Sequence, residues 1–258
     1  MAGTFVSGRG LSVLQGGSGE RLAVLLHGLG ANAAVWSRVL AIADTHWPGR
    51  WIAPELRGHG HSVMAGPYGY AMHAADIADL IAGETANNVT LVGHSMGGVV
   101  AALVGTGWFG PHVSDVAAFG VKLVWTADEE AKARELSLRP ARAFATRAEA
   151  TDRFLKVSGL IGLVDPNSDT AASGITGAEG QWTVAMDPRA FGSVGPSIPA
   201  LLKLSSAPLR LAAGAMDPMV TLAHMQTIDP TARTFDGAGH NAHWEAPAQV
   251  WDFINNKR

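Results

Sequence analysis

The stretch LVGHSMGGVV, residues 91–100, carries a serine where an apolar strand-like run gives way to a helix-like run of small residues. Gly93 and Gly97 stand two positions either side of Ser95. At a tight strand-to-helix turn the backbone is strained and neighbouring side chains must be small, so the two glycines supply room and the hydroxyl is pushed out above the sheet edge. The helix that follows points its N-terminus at the same place, which favours developing negative charge. The pattern predicts a nucleophile rather than a helix-capping serine.

A serine hydroxyl needs a base to take its proton. Among ten histidines, His240 stands out because it follows the flexible run Gly237-Ala238-Gly239 just before a C-terminal helix, with His243 three residues on as its rival. The base in turn needs an acid to fix its tautomer. Asp217, in the loop after the strand-like PLRLAAG (208–214), fits that place, and Asp128 is the substitute, though it reads more naturally as part of a helix's first turn. An oxyanion needs backbone donors, and His27-Gly28-Leu29-Gly30 closes another strand-like run with glycines that let the chain approach a ligand. The N–H groups of Leu29 and Met96 are the expected donors.

The rest of the chain gives these residues a frame. Residues 21–28, 50–56, 88–93, 116–125 and 208–214 are near-continuous apolar runs, as expected of strands covered on both faces. Helical spacing places Tyr70, Ala74, Ile77, Ala78 and Ile81 on one face, and Pro247 opens a last helix. Alternating strands and helices predict an α/β fold with a mostly parallel sheet. The rhythm breaks at 126–205, where Thr126 with Glu129 and Thr146 with Glu149 read as capping boxes, Pro188 opens a further helix, and 164–180 reads as a mobile loop. Residues 1–125 and 206–258 therefore form the expected core, with 126–205 as an inserted helical cap.

Five blocks, HGLG (27–30), ELRGHGHS (55–62), GHSMGG (93–98), GAMDP (214–218) and GAGHNAHWEAP (237–247), resemble the α/β-hydrolase family in order and spacing. The resemblance implies Ser95 as nucleophile, Asp217 as acid, His240 as base, Leu29 and Met96 as oxyanion donors, and the insertion as the family's variable cap. Glu55 stands where these proteins often carry aspartate, a departure that touches structure more than chemistry.

The expected activity is cleavage of carboxylic esters of small, fairly apolar substrates through an acyl-enzyme. A carbon–carbon bond, lactone, amide or thioester hydrolase, or a small-molecule receptor on the same scaffold, are the alternatives. Phe144, Phe154, Leu160, Trp182 and Phe191 are candidate pocket walls, and the few cations breaking the insertion's apolar runs disfavour a strongly anionic substrate. No cofactor is expected. HNAHWE and GHGH lack the helix-borne spacing of a zinc site, and GGSGE lacks the lysine of a phosphate loop. With no cysteine, a thiolate nucleophile is excluded. A net charge of −3 without a basic stripe argues against nucleic acid, and no apolar run approaches the roughly 18 residues of a membrane span. The missing secretory pattern suggests a cytoplasmic protein whose partner is its substrate.

Overall fold

The computed structural model describes residues 3–86, 88–193 and 197–255. Strands β1 (Gly3–Val6), β2 (Ser12–Gly17), β3 (Arg21–Leu26), β4 (Gly49–Pro54), β5 (Asn88–His94), β6 (Asp115–Phe119), β9 (Leu209–Gly214) and β10 (Arg233–Phe235) form one sheet in the order β1-β2-β4-β3-β5-β6-β9-β10. Strands β1 and β2 pair antiparallel with their neighbours, and every pairing from β4 to β10 is parallel. Two further strands, β7 (Ile175–Thr176) and β8 (Thr183–Val184), make a separate small hairpin.

Strand β3 explains the layering. Its side chains alternate between faces, yet Leu22 to Leu26 are all buried. Leu22, Val24 and Leu26 join the apolar cluster around α2 (Tyr70–Ala82) and α3 (Met96–Val104). Ala23 and Leu25 join the opposite cluster, built with α1 (Ser37–His46), α9 (Ala242–Glu245) and α10 (Pro247–Asn255). Both faces are covered, which is why the central strands carry no polar alternation. The five residues predicted for one face of α2 are buried, and α10 opens at Pro247 as the spacing predicts.

Strands β6 and β9 are neighbours in the sheet although 89 residues separate Phe119 from Leu209. Within that excursion α4 (Ala127–Ser137) and α5 (Arg147–Val157) each open on a two-way capping box, with Thr126 and Thr146 each bonded reciprocally to a glutamate three residues on. These helices are followed by α6 (Asp169–Ala172), a 3-10 turn at Pro188–Ser193 and α7 (Ile198–Leu202). The chain at 164–180 departs from the expected mobile loop. Ser168 caps α6, and Ile175–Thr176 pairs with Thr183–Val184 to close it. Helix α8 (Leu222–Gln226) packs beside β9. No described helix is long and apolar enough to cross a membrane.

Candidate active site

Ser95 sits between the end of β5 and the first residue of α3 with φ 52° and ψ −118°. It is the one non-glycine residue with positive φ among the described residues, a backbone region that side chains occupy at a cost of roughly 1–3 kcal/mol. Its N–H donates to the Phe119 carbonyl at 2.9 Å, anchoring the turn to β6. The reason for its small neighbours is steric. A Cβ on Gly97 would lie 2.2 Å from the Leu26 carbonyl oxygen, and one on Gly93 would lie 2.4 Å from that of Gly97. The helix thus packs backbone to backbone against the strand ends, which holds the turn tight.

Leu29 and Met96, the two expected amide donors, line a common cavity with Ser95. The N–H of Met96 opens α3, and Leu29 follows the end of β3. Neither N–H has an acceptor among the described residues. The loop bearing Leu29 is held from behind by two histidines. His59 Nε2 accepts the Gly30 N–H at 3.1 Å, so its proton sits on Nδ1, 3.1 Å from the Arg57 carbonyl. His27 Nε2 accepts the Leu56 N–H at 2.9 Å, and its Nδ1–H donates to the Gly28 carbonyl at 2.8 Å. Burial holds the His59 pKa down at about 4 and that of His27 well below the ordinary value, so both rings stay neutral.

His240 lies on the loop between β10 and α9, its side chain 18% exposed. Its Nδ1 is 2.8 Å from Oδ2 of the fully buried Asp217 carboxylate, whose Oδ1 accepts the Met219 N–H at 2.8 Å. The carboxylate is therefore oriented on both oxygens. A Cβ on Gly214 would meet the Gly239 carbonyl oxygen at 2.0 Å, so the strand bearing the acid and the loop bearing the imidazole touch through bare backbone. The Gly239 N–H is taken by Glu245 Oε2 at 3.0 Å. Asn241 Nδ2 donates to the Gly159 carbonyl at 2.9 Å, tying this loop to the end of α5.

The rivals lie elsewhere. Asp128 is exposed in the first turn of α4. His243 is fully buried, 4.5 Å from the His94 ring and 5.0 Å from Trp36, and burial lowers its pKa to about 3. Among the described residues no group of three or more histidines and carboxylates is arranged to hold a metal.

Ser95, His240, His94, Gly28 and Leu29 line one cavity of about 500 Å³. Of the five predicted wall residues, Phe191 lines it. Phe144 lines an outer cavity instead and pairs through its backbone with Trp182. Phe154 and Leu160 are corrected to packing residues, since both are buried in the cluster that seats the insertion on the sheet, and Trp182 packs against that same cluster. An aromatic in a helical insertion serves its own core as readily as a ligand, and the sequence pattern does not separate the two.

His94, inside GHSMGG, is not among the site residues expected from the sequence. Its Nε2–H donates to the His240 carbonyl at 3.0 Å, joining the residue before Ser95 to the backbone of His240. Burial depresses its pKa well below the usual value. Its position at the strand end beside Ser95 is the signal that marks it. Lys122 of the core also lines the cavity, as do Lys132 and Lys156 of the insertion, the latter two contrary to the expectation of a cation-poor insertion.

A parallel sheet broken by an insertion, with a strained serine at the end of a central strand, defines an α/β-hydrolase architecture. The chain belongs to the alpha/beta hydrolase family, whose model matches residues 23–253. It is similar, at 34% identity over 88 residues, to the pimeloyl-(acyl-carrier protein) methyl ester esterase of Pectobacterium carotovorum, covering 34% of this chain and 32% of that one. It is 40% identical over 80 residues to the non-heme chloroperoxidase CPO-A1 of Kitasatospora aureofaciens, covering 30% of this chain and 28% of that protein. Such matches span about a quarter to a third of the curated relatives' length. Over nearly its whole length the fold resembles E-2-(acetamidomethylene)succinate hydrolase, with TM-score 0.80, 20% identity and coverage of 99% of this chain and 98% of that one. It also resembles the thioesterase domain from the curacin biosynthetic pathway, with TM-score 0.77, 20% identity and 98% of each chain.

Proposed function

We propose that the protein is a serine hydrolase that cleaves carboxylic esters through an acyl-enzyme on Ser95. The observation that carries this reading is the strained Ser95 sharing one cavity with a His240 whose Nδ1 is held by the buried Asp217. As the Ser95 Oγ–carbon bond forms, the hydroxyl proton passes to His240 Nε2, and the carbonyl oxygen takes up negative charge facing the Leu29 and Met96 amides. The alcohol leaves with the proton from His240. Water then attacks the acyl group, gives its proton to His240 and releases the acid, and the proton returns to Ser95.

Residues 126–205 act in this reading as a cap over the site, with Phe191 of the cap and Trp125 of the core as apolar walls. Ester cleavage is favoured over the other bonds this triad can break because sequence relatives include methyl ester esterases.

Intact mass after treatment with a small fluorophosphonate, followed by peptide mapping, tests the reading. One adduct on Ser95, absent from Ser95→Ala, is expected, with multiple turnover of short-chain esters. A folded protein that takes no adduct and turns over no ester would overturn it and bring the receptor alternative forward.

A further inference from the structure

The cavity at Ser95 is lined by Lys122, Lys132 and Lys156 against one carboxylate, Glu129. A second cavity of about 220 Å³ adjoins it inside the insertion, sharing Leu136, Val157 and Phe191 as a common wall. Its lining holds Arg139, Arg142 and Arg153 and no carboxylate. Six cations thus face two adjoining cavities in a chain with 22 acidic and 19 basic residues. Composition alone would not gather them there.

Partners divide the six. Lys122 pairs with Glu129, while Lys132 and Arg139 share Glu135. Lys156, Arg142 and Arg153 make no salt bridge among the described residues; Arg142 lies 4.8 Å over the Phe144 ring, and its charge also acts on the Glu149 carboxyl. On α5, Arg153, Lys156 and Val157 follow the i, i+3, i+4 spacing of one helix face, so the helix presents two unneutralised cations and an apolar side chain together. A guanidinium pair is suited to carboxylate or phosphate oxygens.

Resting on the esterase reading, we infer that the substrate is an amphiphilic ester whose far end carries an anion, a carboxylate or phosphate, held by Arg142 and Arg153 while its apolar span crosses Leu136, Val157 and Phe191 to place the ester at Ser95. The insertion thereby selects an acidic terminus, contrary to the apolar substrate expected from the sequence.

The test compares p-nitrophenyl octanoate with the mono-p-nitrophenyl ester of octanedioic acid, which differ in ending on a methyl or a carboxylate. At low salt the acid-ended ester is expected to have the higher kcat/KM by about tenfold, and Arg142→Gln/Arg153→Gln is expected to cut that ratio about tenfold. Raising ionic strength to about 0.5 M should erode the preference, because partly exposed charges are screened. In parallel, calorimetry on Ser95→Ala, with and without the arginine substitutions, measures binding of octanoate and octyl phosphate. Whichever binds more tightly names the anion. A ratio at or below one, or a ratio and binding that ignore the two arginines, overturns the inference and leaves the esterase standing. Arginine-dependent binding without turnover of either ester keeps the anion site but overturns the esterase reading and, with it, the ester as substrate.

Discussion

Asp217 commits both carboxylate oxygens, Oδ2 to His240 Nδ1 and Oδ1 to the Met219 N–H, each at 2.8 Å. An amide in its place keeps the Met219 contact through its own oxygen but turns an NH2 group toward Nδ1. That favours the imidazole tautomer with its proton on Nε2, which cannot accept from Ser95. Asp217→Asn is expected to lower kcat by about 10⁴-fold with an unchanged urea midpoint, whereas Asp128→Asn leaves steady-state rates alone. A large loss on Asp128→Asn would transfer the acid's role to that residue.

The positive φ of Ser95 is a cost the fold carries for the turn. Alanine inherits the strain and glycine does not, so Ser95→Gly should be more stable than Ser95→Ala by about 1 kcal/mol, read as the difference in urea unfolding. Both should be inactive. Equal stabilities would mean that the turn stores no strain.

Gly214 lets the strand leading to Asp217 touch the loop that carries His240. With a Cβ only 2.0 Å from the Gly239 carbonyl oxygen, Gly214→Ala must push that loop away. Asp217 and His240 remain, yet their alignment is lost. The expected result is a drop in kcat/KM of about 10²-fold, a cost typical of a misplacement near 1 Å. Wild-type kinetics in this variant would refute the contact's role.

Buried neutral histidines give the fold an acid limit. His59, His73 and His243 have pKa values lowered to about 4, 3 and 3, and His27 and His94 are lowered too, all chiefly by burial. Between these values and about 6.5 the unfolded chain binds more protons than the folded one, so stability rises with pH in that window and falls on acidification. Each such histidine contributes up to about 1.4 kcal/mol per pH unit. The urea midpoint should drop steeply from pH 7.5 to 5.5 and change little from 7.5 to 8.5. A midpoint flat down to pH 5 would mean that these rings are solvated.

The core was legible because its signals are local. Continuous apolar runs specified doubly covered strands, Gly93 and Gly97 announced a crowded turn, and even in the insertion Thr126 and Thr146 announced two helix starts. The five similar blocks added order and spacing. Short β10 lacked signal, since Arg233 and Thr234 remain at least partly exposed at the sheet edge. The insertion was harder. Phe154 and Phe191 look alike in sequence, but one fills the packing beneath α5 and the other faces the cavity. Likewise, Arg142 and Arg153 lie eleven residues apart and meet at one cavity only through the turn between α4 and α5. His94 was hidden because its value lies in a carbonyl 146 residues away.

The contacts that hold Ser95, Asp217 and His240 come from Phe119, Met219, Glu245 and His94, none of which lies in the insertion. Asn241, bonded to the carbonyls of Ser158 and Gly159, is the bond of this set that crosses over. In the proposed reading, reaction chemistry and substrate choice are therefore separate inheritances. The segment between β6 and β9 can be rewritten by drift or by grafting without disturbing how the serine is activated, provided a backbone carbonyl is offered to Asn241.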